Sequence, residues 1–139
     1  MDNNIDLKDK LEGIAKIYLD LNELPEIKWS KGIIKKKYRK ITFGTYDLQK
    51  NLIKIHPILK DENIPGFVLD FIIYHELLHY ADREEIIRKR KSIANLFSPG
   101  KRLYHHKEFK YKEKEFPYQK EADSILKRIA KGEYKLKNS

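Results

Sequence analysis

The stretch Phe67-Val68-Leu69-Asp70-Phe71-Ile72-Ile73-Tyr74-His75-Glu76-Leu77-Leu78-His79-Tyr80-Ala81 decides how this chain is read. Its apolar residues are too continuous for a surface helix, so a helix built from them must be buried on most sides. Two histidines and a glutamate inside such a helix would cost several kcal/mol to bury without a partner. On a helix, His75 and His79 project from one face about a turn apart, where both can reach one metal ion. Glu76 is set about 100° round the same helix and can reach a water bound to that ion. The spacing is that of the H-E-x-x-H arrangement, in which the glutamate is the general base.

The text on either side frames this helix. Pro65 and Gly66 mark its entry. Upstream, Leu7, Leu11, Ile14, Ala15, Tyr18 and Leu21 recur at three and four, which predicts an amphipathic N-terminal helix ended by Pro25. Residues 27 to 56 change period. Ile27 and Trp29, Ile33 and Ile34, Ile41, Phe43 and Tyr46, and then "LIKIHP" predict a small three-stranded β-meander with a bend at Asp47 to Asn51, closed by Pro57. Downstream, "HHKEFKYKEKEF" predicts a helix up to Pro117. "YQKEADSILKRIAKG" predicts a last one, with Ala122, Ile125, Leu126 and Ile129 inward and Gly132 at its end. The expected fold class is α+β, as a single domain over residues 1–139.

Composition narrows the chemistry. With no cysteine in 139 residues, disulfides, thiolate zinc sites and cysteine nucleophiles are excluded, leaving histidine and carboxylate as the strong metal ligands. The start "MDNNIDLKDK" lacks the basic and apolar blocks of a secretory signal, and no run approaches the roughly 18 apolar residues that cross a bilayer. The expectation is a soluble, cytoplasmic protein with no membrane partner. Thirty Lys and Arg against 21 Asp and Glu give a net charge of +9, concentrated in residues 31–40, 88–91 and the C-terminal tail. Such a footprint suits DNA or another polyanion, and the same Lys- and Glu-rich usage also suits a heat-adapted protein.

A catalytic zinc normally takes three protein ligands and keeps one position for water. The third must come from downstream, where His105, His106, Glu108, Glu113, Glu115, Glu121 and Asp123 are the candidates.

"FGTYDLQKNLIKIHPIL", "YHELLHY" and "HHKEF" together resemble the SprT-like zinc metallopeptidases, a family that includes the DNA-protein crosslink protease Spartan. The resemblance covers roughly residues 41 to 116. It places Gly44, Tyr46, Asp47, Asn51, Ile53, Ile55, Pro57 and Leu59 on the family's strand-pair pattern, and His75, Glu76 and His79 on its metal helix. His105 falls on the third ligand, with Phe109 four residues later. His106 stands where the family has glycine, and the longer stretch between His79 and His105 implies an inserted helix at about 82 to 97. The rival resemblance is to the gluzincins, whose third ligand is a glutamate in E-x-x-A-D. "QKEAD" begins instead with Gln119, so Glu121 would have to serve.

What these resemblances imply is a zincin-like domain holding one Zn2+ per chain, with metal ligands His75, His79 and His105 and catalytic base Glu76. Its reaction would be hydrolysis of a peptide or protein substrate by metal-activated water, including proteins bound to DNA. The alternatives are a nucleic-acid-binding zincin fold without turnover and a gluzincin-type peptidase using Glu121. Further expectations are Leu52 to His56 as the strand lining the substrate cleft and His56 as a loop or surface residue. Tyr46, Tyr80, Tyr104 or Tyr111 would donate to an oxyanion; Asp82 and Asp123 read first as surface charges, with orientation of a metal-bound histidine as the alternative. The tail "KGEYKLKNS" is a candidate to lie across the cleft.

Overall fold

The structure is a computed structural model that describes residues 5–19, 21–32, 41–83 and 107–137. Among these are four α-helices and one mixed three-stranded sheet, an α+β arrangement. The basic segments 33–40 and 88–91, the expected helix from residue 84 onward, Tyr104, and His105 with His106 lie outside the described residues.

Helix α1 (Leu7–Tyr18) starts where Asp6 accepts a hydrogen bond from the Asp9 amide at 3.2 Å, satisfying one of the donors that a helix start leaves open. It buries Leu7, Leu11, Ile14 and Ala15, the face its periodicity predicts, but ends at Tyr18 rather than Leu21. Lys10 ties it to the buried helix through Asp70 at 2.9 Å.

The strands are β1 (Glu26–Trp29), β2 (Gly44–Asp47) and β3 (Leu52–Ile55), in the order β1-β3-β2. This corrects the meander. β3 is central, pairing antiparallel with β2 (Tyr46 opposite Ile53) and parallel with β1 (Ile27 opposite Ile53). Burial explains the order, because Ile53 and Ile55 are fully buried and the most apolar strand takes the place where both of its edges are paired. It also corrects the cleft. Leu52 to His56 is paired on both sides, so the open edges belong to β1 and β2, and β2 is the edge strand that packs on the helix carrying His75.

The bend between β2 and β3 forms as expected. Asp47 Oδ1 accepts from the amides of Gln49 and Lys50, each at 3.0 Å, and Asn51 takes a φ of 52°, a conformation asparagine tolerates better than most residues. Pro57 does more than close a strand, since Pro57–Lys60 is a 3-10 turn. His56 caps it through Nδ1, which accepts from the Ile58 amide at 2.9 Å. His56 is thus a buried structural residue rather than a surface one.

Helix α2 (Gly66–Ala81) is the hub, burying Val68, Leu69, Phe71, Ile72, Ile73, Tyr74, Leu77 and Leu78 against α1, the sheet and both later helices. Helices α3 (Lys107–Lys114) and α4 (Gln119–Ala130) complete the layer. Gly132, with a φ of 74°, ends α4, its amide bonding to the Ile129 carbonyl at 3.0 Å. The tail then folds back onto the loop before α2: Tyr134 donates to the Asn63 carbonyl at 2.6 Å and the Lys137 amide to Asp61 Oδ1 at 2.9 Å. Through Lys137 the tail is fastened there rather than across the cleft. No described helix is long and apolar enough to cross a membrane.

Candidate metal centre

α2 delivers His75, Glu76 and His79 to one place because its apolar residues fix its rotation. The rings of His75 and His79 lie 5.0 Å apart, centroid to centroid, at 80° to one another. Glu76 Oε2 is 4.0 Å from His75 Nε2. Glu76 and His79 are buried, while the His75 side chain keeps about a quarter of its surface exposed. The helix therefore presents His75 and Glu76 at the floor of an opening, with His79 buried behind His75.

That opening is a cleft of about 430 Å3 bordered by Phe43 and Gly44 from the sheet, Phe71, His75 and Glu76 from α2, Glu113 from α3, and Asp123 and Lys127 from α4. A slightly larger cavity of about 480 Å3 lies at the C-terminal end of α2, between Asn22, Asn51, Tyr80 and Arg83. It is not lined by His75, Glu76 or His79.

Electrostatics in the cleft suit proton transfer. Burial pushes the Glu76 carboxyl up to about 7; the neighbouring His75 opposes this and Glu113 adds to it. Burial by itself lowers His75, but its hydrogen bond to Glu113 and the charges of Glu76 and Glu113 outweigh that, so its pKa is raised. A base with a pKa near neutrality can both take and return a proton.

The sheet approaches the site closely. A Cβ built on Gly44 would stand 3.2 Å from Glu76 Oε2 and 2.7 Å from Ile72 Cγ2, so only glycine lets β2 lie over the glutamate. Sequence reasoning placed Gly44 in a family pattern without finding this role.

The remaining candidates separate cleanly. Glu113 reaches the site, hydrogen-bonded to His75 Nδ1. Glu115 and Glu121 are exposed, and neither borders the cleft. Asp123 borders it but pairs with Lys127 at 3.0 Å, and Asp82 is the C-cap of α2. The carboxylate that meets His75 is therefore neither aspartate. The Tyr46 hydroxyl donates to Asn51 Oδ1 at 2.6 Å and that of Tyr80 to the Glu23 carbonyl at 2.9 Å, so both donors are spent on the fold rather than offered to an oxyanion. Tyr111 is 71% exposed. Glu108 is in α3, with its side chain outside the described ones.

Comparison with protein-family models, with curated proteins and with solved structures returns no match to this chain. The functional reading therefore stands on the geometry.

Among the described residues no group of three or more His, Cys, Asp or Glu side chains is assembled as a metal site. The two imidazoles on one helical face would suit a borderline metal such as zinc, with Glu76 beside His75 and the cleft opening above these two. Both histidines would serve as ligands, and the site needs one more.

Proposed function

We propose that this chain is a zinc-dependent metallopeptidase of the SprT-like type, cleaving peptide bonds with His75, His79 and His105 as metal ligands and Glu76 as general base. One observation carries the reading: Glu76, its pKa near neutrality, lies beside His75 on the floor of a cleft over which a sheet edge passes at Gly44.

When bound, zinc supplies a Lewis acid for the scissile carbonyl and makes its water acidic enough to attack at neutral pH. Glu76 takes the proton of the attacking water and returns it to the leaving amine. No serine or threonine nucleophile is required. The substrate chain is held by β2. The His56 backbone amide donates to the Phe43 carbonyl at 2.8 Å, so alternation along the pair turns the backbone groups of Gly44 and Tyr46 away from β3. An extended peptide can add to that edge by backbone hydrogen bonds, the usual way a strand edge holds a chain. No described strand pairs there.

The charge supports a proposal for the substrate class. A net charge of +9 supports proteins bound to DNA as the substrates. The exposed position of Glu121 weighs against the gluzincin arrangement.

The test is Glu76→Gln. It should abolish cleavage of an unfolded protein substrate while leaving bound zinc unchanged. Cleavage retained in that variant would remove Glu76 as the base. If DNA takes part, binding should weaken steeply with added salt through counterion release, and a flat response would remove DNA.

A further inference from the structure

We propose that Glu113 is the positioning residue of this centre: its carboxylate holds the His75 ring by Nδ1, turning Nε2 toward the metal position, and so couples α3 to the metal helix. The proposal rests on the metallopeptidase reading above.

The tautomer follows from the bond itself. An ionised carboxylate can only accept, so the Nδ1 that meets Glu113 must donate, and in the neutral ring this leaves the lone pair on Nε2. Nε2 is the nitrogen that faces Glu76, at 4.0 Å. Glu113 thus stands on the side of the ring away from the base. A ligand to the same ion would have to stand on the Nε2 side, which argues for orientation rather than ligation. Metal-bound histidines generally need such a partner on the second nitrogen.

Glu113 is held rigidly enough to do this. The residue before it, Lys112, accepts at its backbone carbonyl a 2.7 Å hydrogen bond from the Tyr74 hydroxyl, and Tyr74 is the residue before His75. Two adjacent residues of α2 therefore clasp two adjacent residues of α3, one through the backbone and one through the carboxylate. Phe116, just past α3, is buried with its ring 5.4 Å from that of Tyr74 and 5.6 Å from that of Phe71. The Glu113 side chain is 20% exposed, so its bond to His75 is largely shielded from competing water.

The experiment measures zinc affinity of the full chain by competition with a chelator, for wild type, Glu113→Ala, Glu113→Gln and His105→Ala, together with the visible spectrum of the cobalt-loaded proteins. Glu113→Ala should bind zinc about 10- to 100-fold more weakly, still at one ion per chain when saturated. Glu113→Gln keeps the shape and an acceptor, so it remains folded even where alanine disturbs α3. It should lose about tenfold in affinity and shift the cobalt bands, because the charge behind His75 is gone. Wild-type affinity in both variants would overturn the proposal. So would complete loss of zinc in Glu113→Ala with retention in His105→Ala, which would make Glu113 a ligand. Wild-type protein that binds no zinc would instead overturn the metallopeptidase reading itself.

Discussion

Gly44 in β2 lies against Glu76 in α2, so close that an added Cβ would be 3.2 Å from the carboxylate oxygen and 3.3 Å from Glu76 Cγ. Gly44→Ala must therefore push either the strand or the glutamate, and Ile72 Cγ2 at 2.7 Å blocks the other way out. Overpacking of this kind costs about 1–3 kcal/mol, to be read from urea unfolding. The displaced base should also slow hydrolysis, by about 100-fold for a shift near 1 Å.

Asn51 joins two demands in one residue, a φ of 52° and an acceptor for the Tyr46 hydroxyl at 2.6 Å. Asn51→Gly meets the first and loses the second, which should cost about 1 kcal/mol. Asn51→Ala loses both and should cost about 2–3 kcal/mol. Equal losses in chemical denaturation would show that backbone conformation plays no part.

His56 gives a pH dependence whose sign can be worked out. Burial lowers its pKa below 6.5, and its Nδ1 is occupied as acceptor for the Ile58 amide, so the folded chain resists protonation more than the unfolded chain does. Its contribution to stability is complete above 6.5 and declines as pH falls through that value toward the folded pKa. His56→Asn retains an acceptor without the titration. Between about pH 7.5 and about pH 5.5, wild type should lose more unfolding free energy than the variant does. Parallel profiles would contradict this.

The tail is a brace. Removing residues after Gly132 deletes the Tyr134 bond to Asn63 and the Lys137 bond to Asp61, and should lower stability by about 1–3 kcal/mol. Peptidase activity should not rise. Activation on truncation would mean that the tail also covers the cleft.

The reach of the sequence is clearest in α2 and weakest where distant segments meet. The continuous apolar run marked α2 as buried, and helical spacing alone brought His75, Glu76 and His79 together. Alternation identified the strands but not their partners. Pairing β1 with β3 depends on which strand is most apolar along both edges, and nearest-neighbour reading produced a meander instead. Glu113 was hidden among look-alikes in "KEKE", because composition does not separate it from Glu115. A signal existed: Glu113 falls four residues after Phe109 and three before Phe116, on the apolar side of its helix, whereas Glu115 does not. The role of Gly44 needed the third dimension, since no one-dimensional pattern records what a missing Cβ would have touched.

The most direct measurement is the metal content of the purified full chain beside His75→Ala, His79→Ala and His105→Ala. One zinc per chain in wild type, lost or sharply weakened in each variant, is the predicted result. A wild-type protein without zinc, or variants at His75 and His79 that keep it, would contradict the account and leave α2 a packing helix with two histidines.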